Sequence, residues 1–256
     1  MRRNLFFLVA LLISYFGMAQ AAVSEPKTLT CYSTVYQPYV METGGEVIGI
    51  DADVVREIGR RLGREIRVRL EPWRRLEQAL KAGNRDCVFS YFHTEEREQY
   101  ALFTAVPMHI TQYTLFYDPE RFPTAHGLND FFGQAIGVNR GFKTTPVFQQ
   151  ARANADIQVV EVNEDSQSLK MVELGRIDAV LTNYDVGQYL IRVLGLSHLQ
   201  ALEQPLTTTP TYLVLRRSPE LEPLIERFNW ALFQILKDGT YARIRARYLG
   251  AVDSSH

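Results

Sequence analysis

Two stretches of the sequence share one pattern: AGNRDCVF at residues 82–89 and LGRIDAVL at residues 174–181. In each, an apolar helical pattern ends at a glycine, an aspartate follows three residues later, and an apolar run comes next. Glycine readily adopts the left-handed conformation that ends a helix, and aspartate accepts hydrogen bonds from backbone amides where the chain turns. Each stretch therefore predicts a helix end, a turn with a structural aspartate (Asp86 or Asp178), and a buried strand.

The flanking sequence extends both stretches into the same order of elements. The predicted strands cover residues 28–34, 66–70 and 87–92 in the first half, and 135–139, 157–162 and 177–182 in the second. Predicted helices begin near residues 51, 73, 144, 166 and 184. Asp51 or Asp53 is expected to cap the first helix and Gly63 to end it. This repeated β-α-β-α-β order predicts an α/β protein with two similar parallel-sheet units.

Two extended stretches, residues 108–117 and 207–216, separate these units from each other and from the C-terminal tail. They are rich in Thr, Tyr and other residues that favour strands. We interpret them as a two-strand hinge between two lobes. Lobe 1 is predicted to comprise residues 22–112 and 209–256, with a helical tail that returns to it, and lobe 2 residues 113–208.

The N-terminus carries the pattern of a secretory signal peptide. Arg2 and Arg3 precede an apolar run from Leu5 to Met18, and small residues surround Gln20. We predict that residues 1–21 are a signal peptide and that the mature protein is periplasmic. An uncleaved anchor is the alternative, but the apolar run is shorter than the ~20 residues that span a bilayer.

Composition and charge exclude several classes of protein. Of the 256 residues, 46% are hydrophobic and 22% charged, which is ordinary for a soluble globular protein. The net charge of −1 gives no reason to bind nucleic acid or an anionic membrane. The five histidines show no metal-ligand spacing, so no metal or cofactor is expected. Cys31 and Cys87 could form a disulfide in an exported protein or remain free in buried strands, and the sequence leaves both open.

Five segments in order resemble family 3 of the bacterial extracellular solute-binding proteins, over nearly all of the mature chain. They are residues 45–53 with the following helix to Gly63, residues 73–86, residues 94–107 from the Thr-Glu-Glu-Arg run to Pro107, residues 137–141, and residues 237–241. The resemblance implies a type II periplasmic binding protein fold. It also implies a small-molecule ligand in the cleft between the lobes, an inner-membrane ABC permease as partner, and a monomer.

Ligands of open α/β sheets bind beyond the carboxyl ends of the strands. Tyr36, Trp73, Ser90 and Tyr91 lie at such ends in the first unit, where aromatic faces and hydroxyls can contact a ligand. By the resemblance, Tyr36 stacks on the ligand.

Charged and polar candidates complete the predicted site. The resemblance implies that Arg97 holds the ligand carboxylate, for which a guanidinium fork is suited. Lys143 and Thr144 lie in a turn before a helix, where backbone amides favour an anion.

Asn183 departs from the family pattern, because amino acid binders usually present an aspartate to the ligand ammonium at this position. To a ligand ammonium, the side-chain amide of Asn183 can offer only a neutral carbonyl oxygen as acceptor. A carboxylate without an α-ammonium, or a modified amino acid, therefore stays open as the ligand.

We expect a binding protein rather than an enzyme. Two alternatives remain: an enzyme similar to periplasmic cyclohexadienyl dehydratases, with His93, Glu95 or Glu96 as an acid, and a soluble partner that reports a ligand to a membrane sensor.

Overall fold

The structure is a computed structural model that describes residues 28–140 and 144–250. The predicted signal peptide (residues 1–21) and Lys143 lie outside the described residues. The strands are β1 (Leu29–Ser33), β2 (Met41–Thr43), β3 (Glu46–Ile48), β4 (Ile66–Leu70), β5 (Cys87–Phe92), β6 (Ala101–Phe103), β7 (His109–Tyr117), β8 (Ala135–Asn139), β9 (Gln158–Val162), β10 (Ala179–Asn183), β11 (Gln200–Ala201) and β12 (Thr207–Arg216).

Helices follow the strands in the predicted order. They are α1 (Ile50–Arg61), α2 (Trp73–Lys81), α3 (Glu95–Glu98), α4 (Pro146–Ala153), α5 (Asp165–Glu173), α6 (Tyr184–Leu194), α7 (Glu222–Lys237) and α8 (Thr240–Leu249), with a short 3-10 helix at Leu128–Phe131. The predicted C-terminal helical tail is two helices, because Gly239 adopts a left-handed conformation with φ of 75° between them.

One mixed sheet runs through the described part of the chain in the order β4-β1-β5-β12-β7-β10-β8-β9. Its two ends are parallel, β4-β1-β5 and β10-β8-β9, and each repeats the predicted β-α-β-α-β unit. Between these parallel parts, the two predicted extended stretches are β7 and β12, which pair antiparallel with each other. β12 also pairs with β5, and β7 with β10. The long strands thus satisfy their backbone groups on both edges and join the two parallel parts.

The buried apolar residues fall into two sets along the chain. We call residues 28–112 with 209–250 region A, and residues 113–208 region B. The region A cores combine the first unit with the inner faces of α7 and α8. Among the described residues of region B, only Val186 belongs to their buried members. The region B cores draw on residues 115–202. The tail therefore packs on the first unit.

Two predicted helix starts are corrected by the structure. Gly49, not Asp51 or Asp53, is the N-cap residue of α1. Asp51 cannot cap the helix because its side chain is fully buried, where it accepts a hydrogen bond from Ser90. α4 begins after Thr145, whose hydroxyl accepts a hydrogen bond from the Phe148 amide and so caps the helix.

Cys31 and Cys87 form a disulfide between β1 and β5. The two residues are directly opposite each other in the parallel register of these strands, with Cα atoms 4.5 Å apart. Both lie in the fully buried core of region A. The pairing that the sequence left open is thus present in the structure.

Candidate functional site

A narrow pocket lies where region A meets the carboxyl ends of the region B strands. Region A contributes Tyr36, and region B contributes the remaining lining residues. These are Tyr113, Val138, Asn139, Thr144, Asp165, Leu181, Thr182 and Asn183. The free volume is about 20 Å³, which is room for one water molecule or one group of similar size. The carboxyl ends of β8, β9 and β10 meet at this pocket, which is where open α/β sheets bind their ligands.

A stack of rings fixes Tyr36 at the pocket. Its ring lies 5.4 Å from that of Tyr39 with 16° between the planes, and Tyr39 stacks on His109 at 3.9 Å. Tyr39 and His109 are buried. Burial raises the pKa of the Tyr36 phenol well above its usual range, so the hydroxyl keeps its proton. The Tyr36 side chain therefore presents to the pocket a neutral phenol, which can both donate and accept hydrogen bonds.

Asn183 lies in the pocket wall, but its carbonyl oxygen is already engaged. The side-chain Oδ1 accepts hydrogen bonds from the amides of Asp185 (2.8 Å) and Val186 (3.3 Å) and thereby caps α6. The amide nitrogen is buried without a hydrogen-bond partner of normal geometry among the described residues, and the side chain interacts with the Tyr36 phenol. Asn183 thus acts as a helix cap that supports Tyr36.

Asp165 supplies the carboxylate of the pocket, and the sequence reasoning missed it. It is the first residue of α5, and its side chain interacts with those of Thr182 and Asn139. Burial raises the pKa of this carboxyl to about 6. The signal was available: Asp165 follows β9 at the same sheet edge as the other candidates.

Trp73, Tyr91 and Arg97 form a separate group in region A and do not line this pocket. The Arg97 guanidinium lies 4.2 Å from the Tyr91 ring and 5.6 Å from that of Trp73. Its Nε and Nη2 donate to one oxygen of Glu77 at 3.0 and 2.6 Å, and Nη1 donates to the Phe92 carbonyl. The guanidinium fork predicted to hold a ligand carboxylate is thus held by a carboxylate of the protein.

Ser90 belongs to a third, buried group that reaches the hinge strands. Its hydroxyl donates to Asp51 Oδ2 at 2.6 Å, while the other oxygen of Asp51 lies 3.0 Å from Nδ1 of His109. His109 Nε2 contacts Thr111, which in turn contacts Thr211 across β7 and β12. The carboxylate separates the serine hydroxyl from the imidazole, so this group lacks the Ser–His contact that activates a nucleophile.

Residues 28–140 and 144–250 contain no group of three or more His, Cys, Asp or Glu side chains that could hold a metal ion. Among the helices of these ranges, none combines the length and apolarity needed to cross a bilayer.

Curated relatives and solved structures resemble the chain over most of its length. A protein of Neisseria gonorrhoeae named "Probable histidine-binding protein" is 23% identical over 209 residues, 81% of this chain and 77% of its own. The L-cystine-binding protein TcyA of Bacillus subtilis is 21% identical over 239 residues, 91% of this chain and 85% of its own.

Two solved structures show the same fold. A histidine kinase sensor domain with similarity to periplasmic binding proteins has a TM-score of 0.70 and 24% identity, covering 88% of this chain and 97% of its own. An ancestral amino acid-binding protein, a precursor of cyclohexadienyl dehydratase, has a TM-score of 0.67 and 21% identity, covering 87% and 95%. A family model matches residues 29–251. The chain belongs to family 3 of the bacterial extracellular solute-binding proteins.

Proposed function

We propose that this protein is exported to the periplasm, where it captures an amino acid or a related small polar solute for an ABC importer of the inner membrane. Regions A and B act as two lobes, with the boundaries predicted from the sequence, and β7 and β12 act as the hinge between them. Family membership and the amino acid-binding relatives support this role. The observation that carries it is the pocket, because residues of both regions are needed to enclose it.

Contacts between the regions support opening and closure as the route to the pocket. Asp185 at the start of α6 accepts a hydrogen bond from Tyr39 of region A at 2.8 Å and forms an ion pair with Arg245 of α8. These contacts lie beside the pocket wall that Asn183 forms. A pocket with room for one small group admits a solute only when the regions separate, and closure then desolvates it.

Arg97 and its neighbours remain proposed contacts for the part of the solute outside this pocket. The guanidinium lies against the rings of Trp73 and Tyr91 and is paired with Glu77, so a ligand carboxylate would have to replace Glu77. Ser90, Thr144 and Lys143 keep their predicted roles as polar contacts. For Thr144 the support is its place in the pocket lining.

A dehydratase-like enzyme is the second candidate, and the acid in the pocket favours it. Asp165 has a pKa of about 6, which suits a general acid near neutral pH. His93 pairs with Glu98 at 2.6 Å on the surface, so Asp165 replaces His93, Glu95 and Glu96 as the acid to test. Incubation with prephenate and arogenate, followed by detection of an aromatic product, separates an enzyme from a binding protein.

The binding role is tested with Tyr36→Ala, because Tyr36 is the region A side of the pocket. A thermal-shift screen against amino acids, organic acids and amines identifies ligands of the wild type by mass action. We expect Tyr36→Ala to weaken the best ligand about fivefold to thirtyfold in calorimetry, since loss of an aromatic contact with the ligand costs about 1–2 kcal/mol. Phe132→Ala, which removes an exposed aromatic of region B, is the control and should leave the affinity unchanged. Equal affinity in Tyr36→Ala and wild type would contradict the proposed site.

A further inference from the structure

The pocket has an acid but no base among its described residues. Its titratable groups are the Asp165 carboxyl and the phenols of Tyr36 and Tyr113, and no Lys, Arg or His is part of the described lining. Arg97, the cation that the family resemblance assigns to the ligand, is paired with Glu77 outside this pocket. With Asp165 ionised, the described lining therefore carries one negative charge, neutral hydroxyls and the side-chain amides of Asn139 and Asn183.

Asn183 cannot offset this by accepting from a ligand. Its carbonyl oxygen caps α6, and its buried amide nitrogen can only donate. Position 183 is thus closed to an ammonium for a structural reason as well as for its lack of charge. The remaining acceptors in the described lining are Asp165, the side-chain oxygen of Asn139, and the hydroxyls of Tyr36, Tyr113, Thr144 and Thr182.

We propose that the pocket binds the ammonium group of the solute through Asp165, and that the solute is a primary amine whose recognition does not require a carboxylate. The inference deepens the proposed function and rests on it. An ammonium group has three donors and is about the size of the water molecule that the pocket can hold. A buried carboxylate gains most from a cation of this kind, because a charged hydrogen bond in a desolvated site is strong.

The pH dependence of binding follows from the same contact. Burial raises the pKa of Asp165 to about 6 in the empty pocket, and an ammonium would lower it. Among the described lining residues, the titratable groups that face Asp165 are the phenols of Tyr36 and Tyr113. Burial raises the pKa of each phenol above its usual range, so neither titrates near neutral pH. We expect the affinity for an amine to fall about tenfold between pH 7.5 and pH 5, as Asp165 takes up a proton.

The experiment compares three matched compounds on each of three skeletons by thermal shift and calorimetry. The amino acids are L-leucine, L-phenylalanine and L-histidine. Their amines without a carboxylate are 3-methylbutylamine, 2-phenylethylamine and histamine, and their acids without an ammonium are 4-methylpentanoate, 3-phenylpropionate and imidazole-4-propionate. Cadaverine is added as a diamine. We expect at least one amine to raise the melting temperature, and its matching acid to have no effect.

Variants then assign the contact to Asp165. Asp165→Asn keeps the shape and removes the charge, and should weaken the best amine at least tenfold and abolish the pH dependence. Glu164→Gln removes a charge from the exposed neighbour, which does not line the pocket, and should change the affinity by less than about twofold. Circular dichroism and the melting temperature of the empty variants confirm folding.

The outcomes separate the inference from the proposed function. If amino acids or acids bind and no amine does, or if Asp165→Asn binds amines as tightly as the wild type, the inference is overturned and the binding role stands. If no compound of the panel binds, both are overturned. Equal losses in Asp165→Asn and Glu164→Gln would show a general charge effect and also overturn the direct contact.

Discussion

Asp165 shows how one residue can serve function at a cost in stability. Its pKa is raised by burial, so the folded protein binds a proton at this carboxyl more readily than the unfolded chain does. Stability contributed by this group is therefore present below about pH 4 and is lost as the pH rises through about 6. At pH 7 the ionised carboxyl costs roughly 1–3 kcal/mol of unfolding free energy.

We therefore expect Asp165→Asn to be more stable than the wild type at pH 7, by roughly 1–3 kcal/mol. The difference should shrink towards zero at pH 4.5, where the native carboxyl is protonated. Urea denaturation at both pH values measures it. A variant less stable than the wild type at pH 7 would show that another group in the protein stabilises the negative charge.

Individual residues of the candidate site could be predicted where their position at the end of a strand was enough to select them. Tyr36 follows β1, and Asn183 is the last residue of β10. Both could be selected as candidates because ligands bind at the strand ends in this class of sheet. Arg97 was assigned through the family resemblance, and no sequence pattern shows that Glu77, 20 residues earlier, occupies its guanidinium. Asp165 could not be singled out from the sequence, because acidic residues are common in the first turn of a helix, where they stabilise the helix without binding a ligand.

At the scale of elements, the start of α1 depends on a glycine. Gly49 has φ of 131°, and a Cβ built there would lie 2.3 Å from the Tyr39 carbonyl oxygen. Its backbone amide donates a hydrogen bond to the Tyr248 hydroxyl at 3.0 Å, and this hydroxyl donates to Asp53. This position links α1, α8 and the loop that carries Tyr36 and Tyr39.

Gly49→Ala is expected to destabilise the protein by more than about 2 kcal/mol, because both the backbone conformation and the close contact exclude a side chain. Thermal or urea denaturation gives the value. Gly127→Ala is the matched control: no atom lies within 4 Å of the Cβ position, and its φ of −157° suits any residue. A Gly49→Ala variant as stable as Gly127→Ala would contradict the structure of this turn.

The disulfide is the second element-scale constraint, since it fixes β1 to β5 across 56 residues of chain. Closing a loop of that length reduces the entropy of the unfolded chain, so we expect its loss to destabilise the protein by about 2–4 kcal/mol. Cys31→Ala with Cys87→Ala, compared with the oxidised wild type by denaturation, measures the loss. Unchanged stability after reduction would argue against the bridge.

For the whole molecule, the decisive contact is the one that Asp185 makes between regions A and B. It joins Tyr39 and Arg245 of region A to the start of α6 in region B, and all three side chains are at least partly buried. Removing one partner of an ion pair in such a setting costs more than removing one partner of an exposed pair, because the remaining charge is left poorly solvated.

Asp185→Asn is expected to favour the open arrangement and to weaken ligand binding about threefold to tenfold, because a smaller fraction of the protein is then closed. Small-angle scattering of the empty protein should show a larger radius of gyration than in the wild type. Glu173→Gln breaks an exposed ion pair with His198 within region B and serves as the control, with no change expected in either measurement. Identical scattering from wild type and Asp185→Asn would contradict the role of this contact.

The sequence by itself determined the elements, their order and the family, because hydrophobic period, glycine stops and strand-end residues are properties of neighbouring positions. It did not determine that β7 and β12 join both units into one sheet, that Cys31 meets Cys87, or that Asn183 and Arg97 are engaged by the protein itself. Only the tertiary structure decided these, because each depends on which distant groups share an enclosed space. Charge and hydrogen-bonding capacity can be read from a residue type, but the partner that uses them is set by packing.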